Sequence, residues 1–221
     1  MRVHFQREID KLKRQILEMS ADVEEAVSDA VQAVESRDVA LAKAVVEHEN
    51  QTNARDVDVE EECLKILALH QPVAADLRYL VAVLKINHDL ERIGDLAAHI
   101  AQGALLLCEM PPVDIPLQLG EMAAKSQQML KKVLDAFVNV DIVAARETRL
   151  ADSDLDALNR AMAARLKGEI TRRPELLEPL LKLMHIARHL ERIGDHATNI
   201  AEDLIYLIEG KIVRHTSARQ S

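Results

Sequence analysis

The chain has 221 residues, 48% of them hydrophobic but only 2% aromatic, with 29% charged and 6 glycines; it is long enough to bury a core and uses the alphabet of helices rather than sheets. A formal net charge of −9 repels a phosphate backbone, so no nucleic-acid partner is expected and a cation is the more natural ligand. Cys63 and Cys108 alone make neither a disulfide framework nor a zinc site, and no run of about twenty apolar residues offers a membrane span, so with the charged, amphipathic start MRVHFQREIDKLKRQ the expected location is the cytoplasm.

Apolar residues recur at helical spacing, and nowhere do they alternate over a strand's length. A first helix is predicted over roughly 4 to 36. Asp38, following Glu35-Ser36-Arg37, reads as the N-cap of a second over roughly 39 to 69; Gln71-Pro72 interrupts, and a third runs over roughly 73 to 109. Three prolines within Met110-Pro111-Pro112-Val113-Asp114-Ile115-Pro116 divide the chain near its midpoint. Further helices are predicted over roughly 116 to 139, 142 to 171 and 174 to 209. A polar tail follows from Gly210, whose Lys211, Arg214, His215 and Ser217 suggest fraying.

The second half repeats the first. LERIGDLAAHIA begins at Leu90 and LERIGDHATNIA at Leu190; Asp141 answers Asp38, Asp152 answers Glu49, Pro174 answers Pro72 and Glu191 answers Glu91. The offset drifts only from 103 (141 minus 38) through 102 (174 minus 72) to 100 (191 minus 91). Long helices joined by short turns must pack antiparallel to bury their apolar stripes. The expected fold is therefore all-α, as two tandem pseudo-symmetric antiparallel three-helix bundles over 1–110 and 111–209, with a tail over 210–221.

Ile86, Leu90, Ile93, Ala97, Ile100 and Ala104 form one core-facing stripe, and Ile186, Leu190, Ile193, Ala197, Ile200 and Leu204 another. Glu91 with Asp95, and Glu191 with Asp195, are four apart; each pair stacks one turn above the other and is expected to point outward, away from the stripe. Such like charges repel by a few tenths of a kcal/mol on an isolated helix. Arg92 and Arg192 stand about 100 degrees round the helix from their neighbours, poor partners for both acids at once. A bound cation compensates better. On the preceding, antiparallel helix of each half, Glu49 with Asn53 and Asp152 with Asp156 have the same spacing and bring further oxygens. Oxygen-only sets suit hard ions such as magnesium, manganese, calcium or iron. One acid pair on a helix is more often plain solvated surface; the duplication weighs against that reading.

Other residues have plainer uses. His185 and His189 are four apart, but His189 lies at the edge of the apolar stripe and is expected to pack rather than chelate. Glu60, Glu61 and Glu62 fan around their helix as a solvated face. Met122, Met129, Met162 and Met184 are spaced as core. Gly94 and Gly194, costly inside helices by about 1 kcal/mol each, imply a close approach beside the acids. No nucleophile with its base, glycine-rich phosphate loop or redox thiol pair is present, so no catalysis is expected. The competing class is a di-metal carboxylate enzyme or metal store, whose Glu-x-x-His signature does not occur; a bare helical scaffold without metal is the third.

Together the duplicated unit and its motifs resemble the PhoU family, along HENQTNARDVDVEEECLKILALHQPVAADLRYL, LERIGDLAAHIA, ADSDLDALNRAM and LERIGDHATNIAEDL. The resemblance spans nearly the whole chain apart from the tail. It implies E(D)xxxD motifs that bind metal clusters, falling on Glu91 with Asp95, Glu191 with Asp195, Asp152 with Asp156 and, less perfectly, Glu49 with Asn53. Divalent or trivalent magnesium, manganese, iron or zinc is implied, with the first cluster weaker because Asn53 offers a neutral oxygen. Also implied are a non-enzymatic negative regulator of the phosphate-starvation response, a homodimer, and contacts with the phosphate ABC importer's ATPase and a sensor histidine kinase, so that the protein is peripheral to the membrane through its partners. In the family-like segment QPVAADLR, Pro72 opens a helix, and Arg78 is expected in a structural ion pair rather than on a phosphate.

Overall fold

A computed structural model describes residues 2–213. Six long helices run in order: α1 (Arg2–Ser36), α2 (Val39–His70), α3 (Ala74–Glu109), α4 (Leu117–Asn139), α5 (Ile142–Arg172) and α6 (Leu177–Glu209). There is no strand among the described residues. The two halves start their second helices identically: Asp38 Oδ1 accepts from the amides of Ala40 and Leu41, and Asp141 Oδ1 from those of Val143 and Ala144, satisfying donors that a helix start leaves open. The prolines act differently. Gln71 and Ala74 adopt left-handed φ of 45° and 51° around Pro72, whereas Pro174 starts a single 3-10 turn, Pro174–Leu176, before α6. At the tail, Gly210 closes α6 at φ 69° with its amide on Tyr206 O; Arg214, His215 and Ser217 lie outside the described residues.

All twelve predicted stripe residues are buried, in one continuous apolar core. Within it α1, α2 and α3 pack on one another, as do α4, α5 and α6, giving two three-helix bundles joined chiefly along α3 and α6. Those two helices run antiparallel, with Lys85 Nζ 3.1 Å from Asp203 Oδ1, His196 Nδ1 2.8 Å from Asp89 Oδ1, and the rings of His99 and His189 stacked 5.4 Å apart. Asn199 also donates to Asp89, at 3.3 Å. Asp89 with Asn199 and His189 with His99 are the same contact shifted by 100 in both partners, so the repeat is expressed as a pseudo-two-fold between the halves.

The motif glycines bring neighbours close. A Cβ on Gly94 would stand 3.0 Å from Thr52 Cγ2 on α2, and one on Gly194 would stand 2.3 Å from Leu155 Cδ2 on α5. Thr52 and Leu155 are themselves 103 apart (155 minus 52), the offset already seen between Asp38 and Asp141. Each glycine therefore seats the acid-bearing third helix of its half against the second.

Candidate functional site

Three of the four motif acids on α3 and α6 are partly covered, and Asp195 is exposed. Glu91 and Asp95 are half-buried against α2, and Glu191 is half-buried against α5, with Asp195 more exposed. The helix geometry places them off the apolar stripe, but the close seating at Gly94 and Gly194 folds a neighbouring helix over them.

In the first half the expectation about Arg92 fails. Arg92 Nε lies 3.3 Å from Glu91 Oε2 and Nη1 lies 3.3 Å from Asp95 Oδ2; a long flexible stem lets one guanidinium reach both acids despite the angle at the backbone. His88 Nδ1 approaches Glu91 Oε2 at 3.9 Å. Burial nevertheless pushes Glu91 above the ordinary carboxylate range, helped by Asp95 and Asp56 and opposed by Arg92 and His88.

Asp56 is the α2 acid that acts on Glu91, and sequence reading missed it. Burial, then the charge of Glu60, raises its pKa, and Asn87 donates to its Oδ1 at 2.6 Å. Glu49 is half-buried and Asn53 exposed further back on α2; neither figures among the charges acting most on Glu91. The signal was available: Glu49, Asn53, Asp56 and Glu60 follow one another at four, three and four residues, one continuous helical stripe.

The second half differs. Asp152 and Asp156 on α5 act on Glu191 and Asp195 on α6, so the structure does bring all four carboxylates into one electrostatic group. Burial first, then the neighbouring carboxylates, holds Asp152, Glu191 and Asp195 above the usual range. The charge of Arg188 opposes this at Glu191, and those of His196 and then Arg192 oppose it at Asp195, none of them in an ion pair with these acids among the described residues. Asp152 accepts a 3.3 Å hydrogen bond from Thr198, and Asp156 has a loose 3.7 Å pair with Arg160. Among the described residues, no three His, Cys, Asp or Glu side chains already stand in an arrangement that could hold a metal ion. The donor chemistry at this group is nonetheless that of a hard-cation site: carboxylate oxygens from two helices carrying an excess of negative charge.

Elsewhere several plain expectations hold and two do not. Met122, Met129 and Met162 are core and Met184 packs against it. Burial first, then His99 and nearby arginines, pushes the half-buried His189 down to about 4. Glu62, expected as solvated, is 7% exposed; despite the cost of burial, hydrogen bonds from Lys11 and Lys65 hold its pKa below the ordinary range. Arg78 makes no ion pair among the described residues, and its Nε is buried without a hydrogen-bond partner.

The fold and site define a class: a tandem duplicate of an antiparallel three-helix unit, each copy holding an acid pair between its second and third helices. The PhoU domain matches at residues 16–104 and again at 119–204. A phosphate-specific transport system accessory protein PhoU homolog of Pseudomonas aeruginosa is 36% identical over 214 residues, covering 96% of this chain and 88% of the relative. The PhoU of Escherichia coli K12 is 34% identical over 215 residues, covering 96% and 88%. The crystal structure of PhoU from Pseudomonas aeruginosa superimposes with a TM-score of 0.91 at 36% identity, over 94% of this chain and 100% of that one. That of the phosphate transport system regulatory protein PhoU from Streptococcus pneumoniae gives 0.87 at 30%, over 95% and 99%. The chain belongs to the PhoU family.

Proposed function

We propose that this protein is a non-enzymatic regulator of phosphate uptake that represses the phosphate-starvation response, coupling the phosphate ABC importer's ATPase to a sensor histidine kinase. Family membership supports the transport-accessory role, because relatives bear that name across nearly the full length of the chain. No described helix is long and apolar enough to cross a membrane; in the proposed reading the protein acts in the cytoplasm as a homodimer and meets the importer through protein partners.

The observation that carries the metal part of the reading is the charge imbalance at Asp152, Asp156, Glu191 and Asp195. Three of these four are raised by burial and by one another, and a divalent or trivalent ion, such as magnesium, manganese, iron or zinc, relieves that repulsion through their oxygens. Glu91 and Asp95, with Glu49 and Asn53 behind them, form the weaker counterpart because Arg92 already supplies a cation. Immobilised protein should retain the importer ATPase from solubilised membranes in manganese buffer and release it on chelation, with Asp195→Ala behaving like the chelated protein. Equal retention in all three conditions would remove the metal from the docking reaction.

A further inference from the structure

The repeat provides an internal control for one group of residues to which neither acid pair belongs. Lys85, His88 and Arg92 in α3 correspond, at the offset of 100, to His185, Arg188 and Arg192 in α6. In the first half all three basic groups meet carboxylates, Lys85 on Asp203, His88 on Glu91, and Arg92 on Glu91 and Asp95. In the second half none of the three makes an ion pair among the described residues, although Arg188 and Arg192 lie near enough to Glu191 and Asp195 for their charges to act on them.

The motif acids are the same in both halves, but the facing helix differs. At the offset of 103, Asp56 and Glu60 of α2 become Asn159 and Ala163 of α5. Two acids that sit among His88, Arg92 and Asp95 are replaced by a neutral amide and a methyl group. What opens in their place is a cleft of about 480 Å³ lined by Asn159 and Ala163 on one wall and by His185, Arg188 and Arg192 on the other, with Glu191 and Asp195 at its side. The second half thus keeps basic groups at this position and both motif acids, loses the two further acids of the facing helix, and leaves Arg188 and Arg192 lining the cleft without an ion pair among the described residues.

We infer that this cleft binds inorganic phosphate, Arg188 and Arg192 taking two of its oxygens and Asn159 donating to a third, beside a metal ion on Glu191 and Asp195. Guanidinium groups four residues apart on one helix face suit a tetrahedral oxyanion, since each offers paired donors. Without a cation, Glu191 and Asp195 repel the same anion, so the inference rests on the metal reading above. Cation and phosphate then bind with positive coupling. A phosphoryl group carried on another molecule has the same terminal oxygens; the cleft is assigned to the free ion because Glu191 and Asp195 leave a small, charged side for a metal-bridged anion.

Equilibrium dialysis of radiolabelled phosphate against the full chain, with manganese measured in the same cells, tests this. Phosphate should bind in manganese and be lost on chelation. Arg188→Ala with Arg192→Ala, and separately Asn159→Asp, which restores the first-half acid, should each weaken phosphate by about ten-fold or more, while manganese binding in the phosphate-free cells is kept or tightened, because each change makes the surroundings of Glu191 and Asp195 more negative. Asp195→Ala should lose both ligands. Manganese bound normally with no phosphate, or with phosphate unaffected by these variants, overturns the phosphate site and leaves the metal reading standing. Absence of manganese binding overturns the metal reading itself, and phosphate binding with it. Phenyl phosphate competing as well as unlabelled phosphate overturns the assignment to the free ion.

Discussion

Two copies of one motif, LERIGD, end in opposite electrostatic states. At Leu90–Asp95 the arginine between the acids folds back onto both, and the cluster is closed by its own cation. At Leu190–Asp195 the matching arginine makes no ion pair among the described residues, while two further acids on α5 crowd in. Both copies share the glycine that seats the neighbouring helix, so the difference lies in the pairing of one arginine and in the acids that the neighbouring helix presents. Duplicated sequence therefore repeats where the oxygens are placed, while the ion pairs and the facing acids around them differ between the copies.

The comparison can be broken first at the core, where the halves should agree. Leu90→Ala and Leu190→Ala each remove a fully packed side chain and should each lower unfolding free energy by about 2–5 kcal/mol. Chemical denaturation showing a large loss for only one would mean that the bundles are not built alike. The next effect should be asymmetric. Gly194→Ala drives a methyl into Leu155, 2.3 Å away, and should cost about 1–3 kcal/mol by overpacking. Gly94→Ala meets Thr52 at 3.0 Å, and its smaller clash is partly offset by the helix gain of about 1 kcal/mol.

Smaller still is the cost of Arg92→Ala, whose half-exposed pairs are worth about 1 kcal/mol or less. Its use is as a gain of function. With the internal cation removed, Glu91, Asp95 and Asp56 should show new manganese binding by calorimetry, and no change would show that Arg92 is not what closes the first site. A pH series sharpens the same contrast. Asp152, Glu191 and Asp195 have pKa values raised on folding, so their contribution to stability is present below the unfolded carboxylate range and is lost as pH rises through the folded values. Metal-free protein should lose stability on that rise in mildly acidic buffer, and Asp152→Asn with Asp195→Asn should flatten it. Glu62 works in the other direction. Its lowered pKa contributes stability above the unfolded value that disappears as pH falls.

Much of this was legible in the chain itself. The helices, the caps at Asp38 and Asp141, the antiparallel bundles and the core stripes follow from periodicity and from the repeat, because these depend on local spacing and on which side of a helix is apolar. What stayed hidden depends on where a second helix stands. Arg92 was placed by the angle at its Cα, which ignores the reach of a long side chain; Glu62 was grouped with its exposed neighbours, although α1 passes over it with Lys11. Asp56 does not show in a pair four residues apart, Glu49 with Asn53, because it continues the same stripe one turn onward. The arrangement of α3 against α6 could be read only once contacts such as Asp89 with Asn199 were known.

The most direct test is manganese stoichiometry and affinity for the wild-type chain, Asp95→Ala and Asp195→Ala, measured side by side on metal-stripped protein. The account predicts that the tightest manganese is lost in Asp195→Ala and kept in Asp95→Ala. Equal binding in all three, or loss in Asp95→Ala alone, would contradict it.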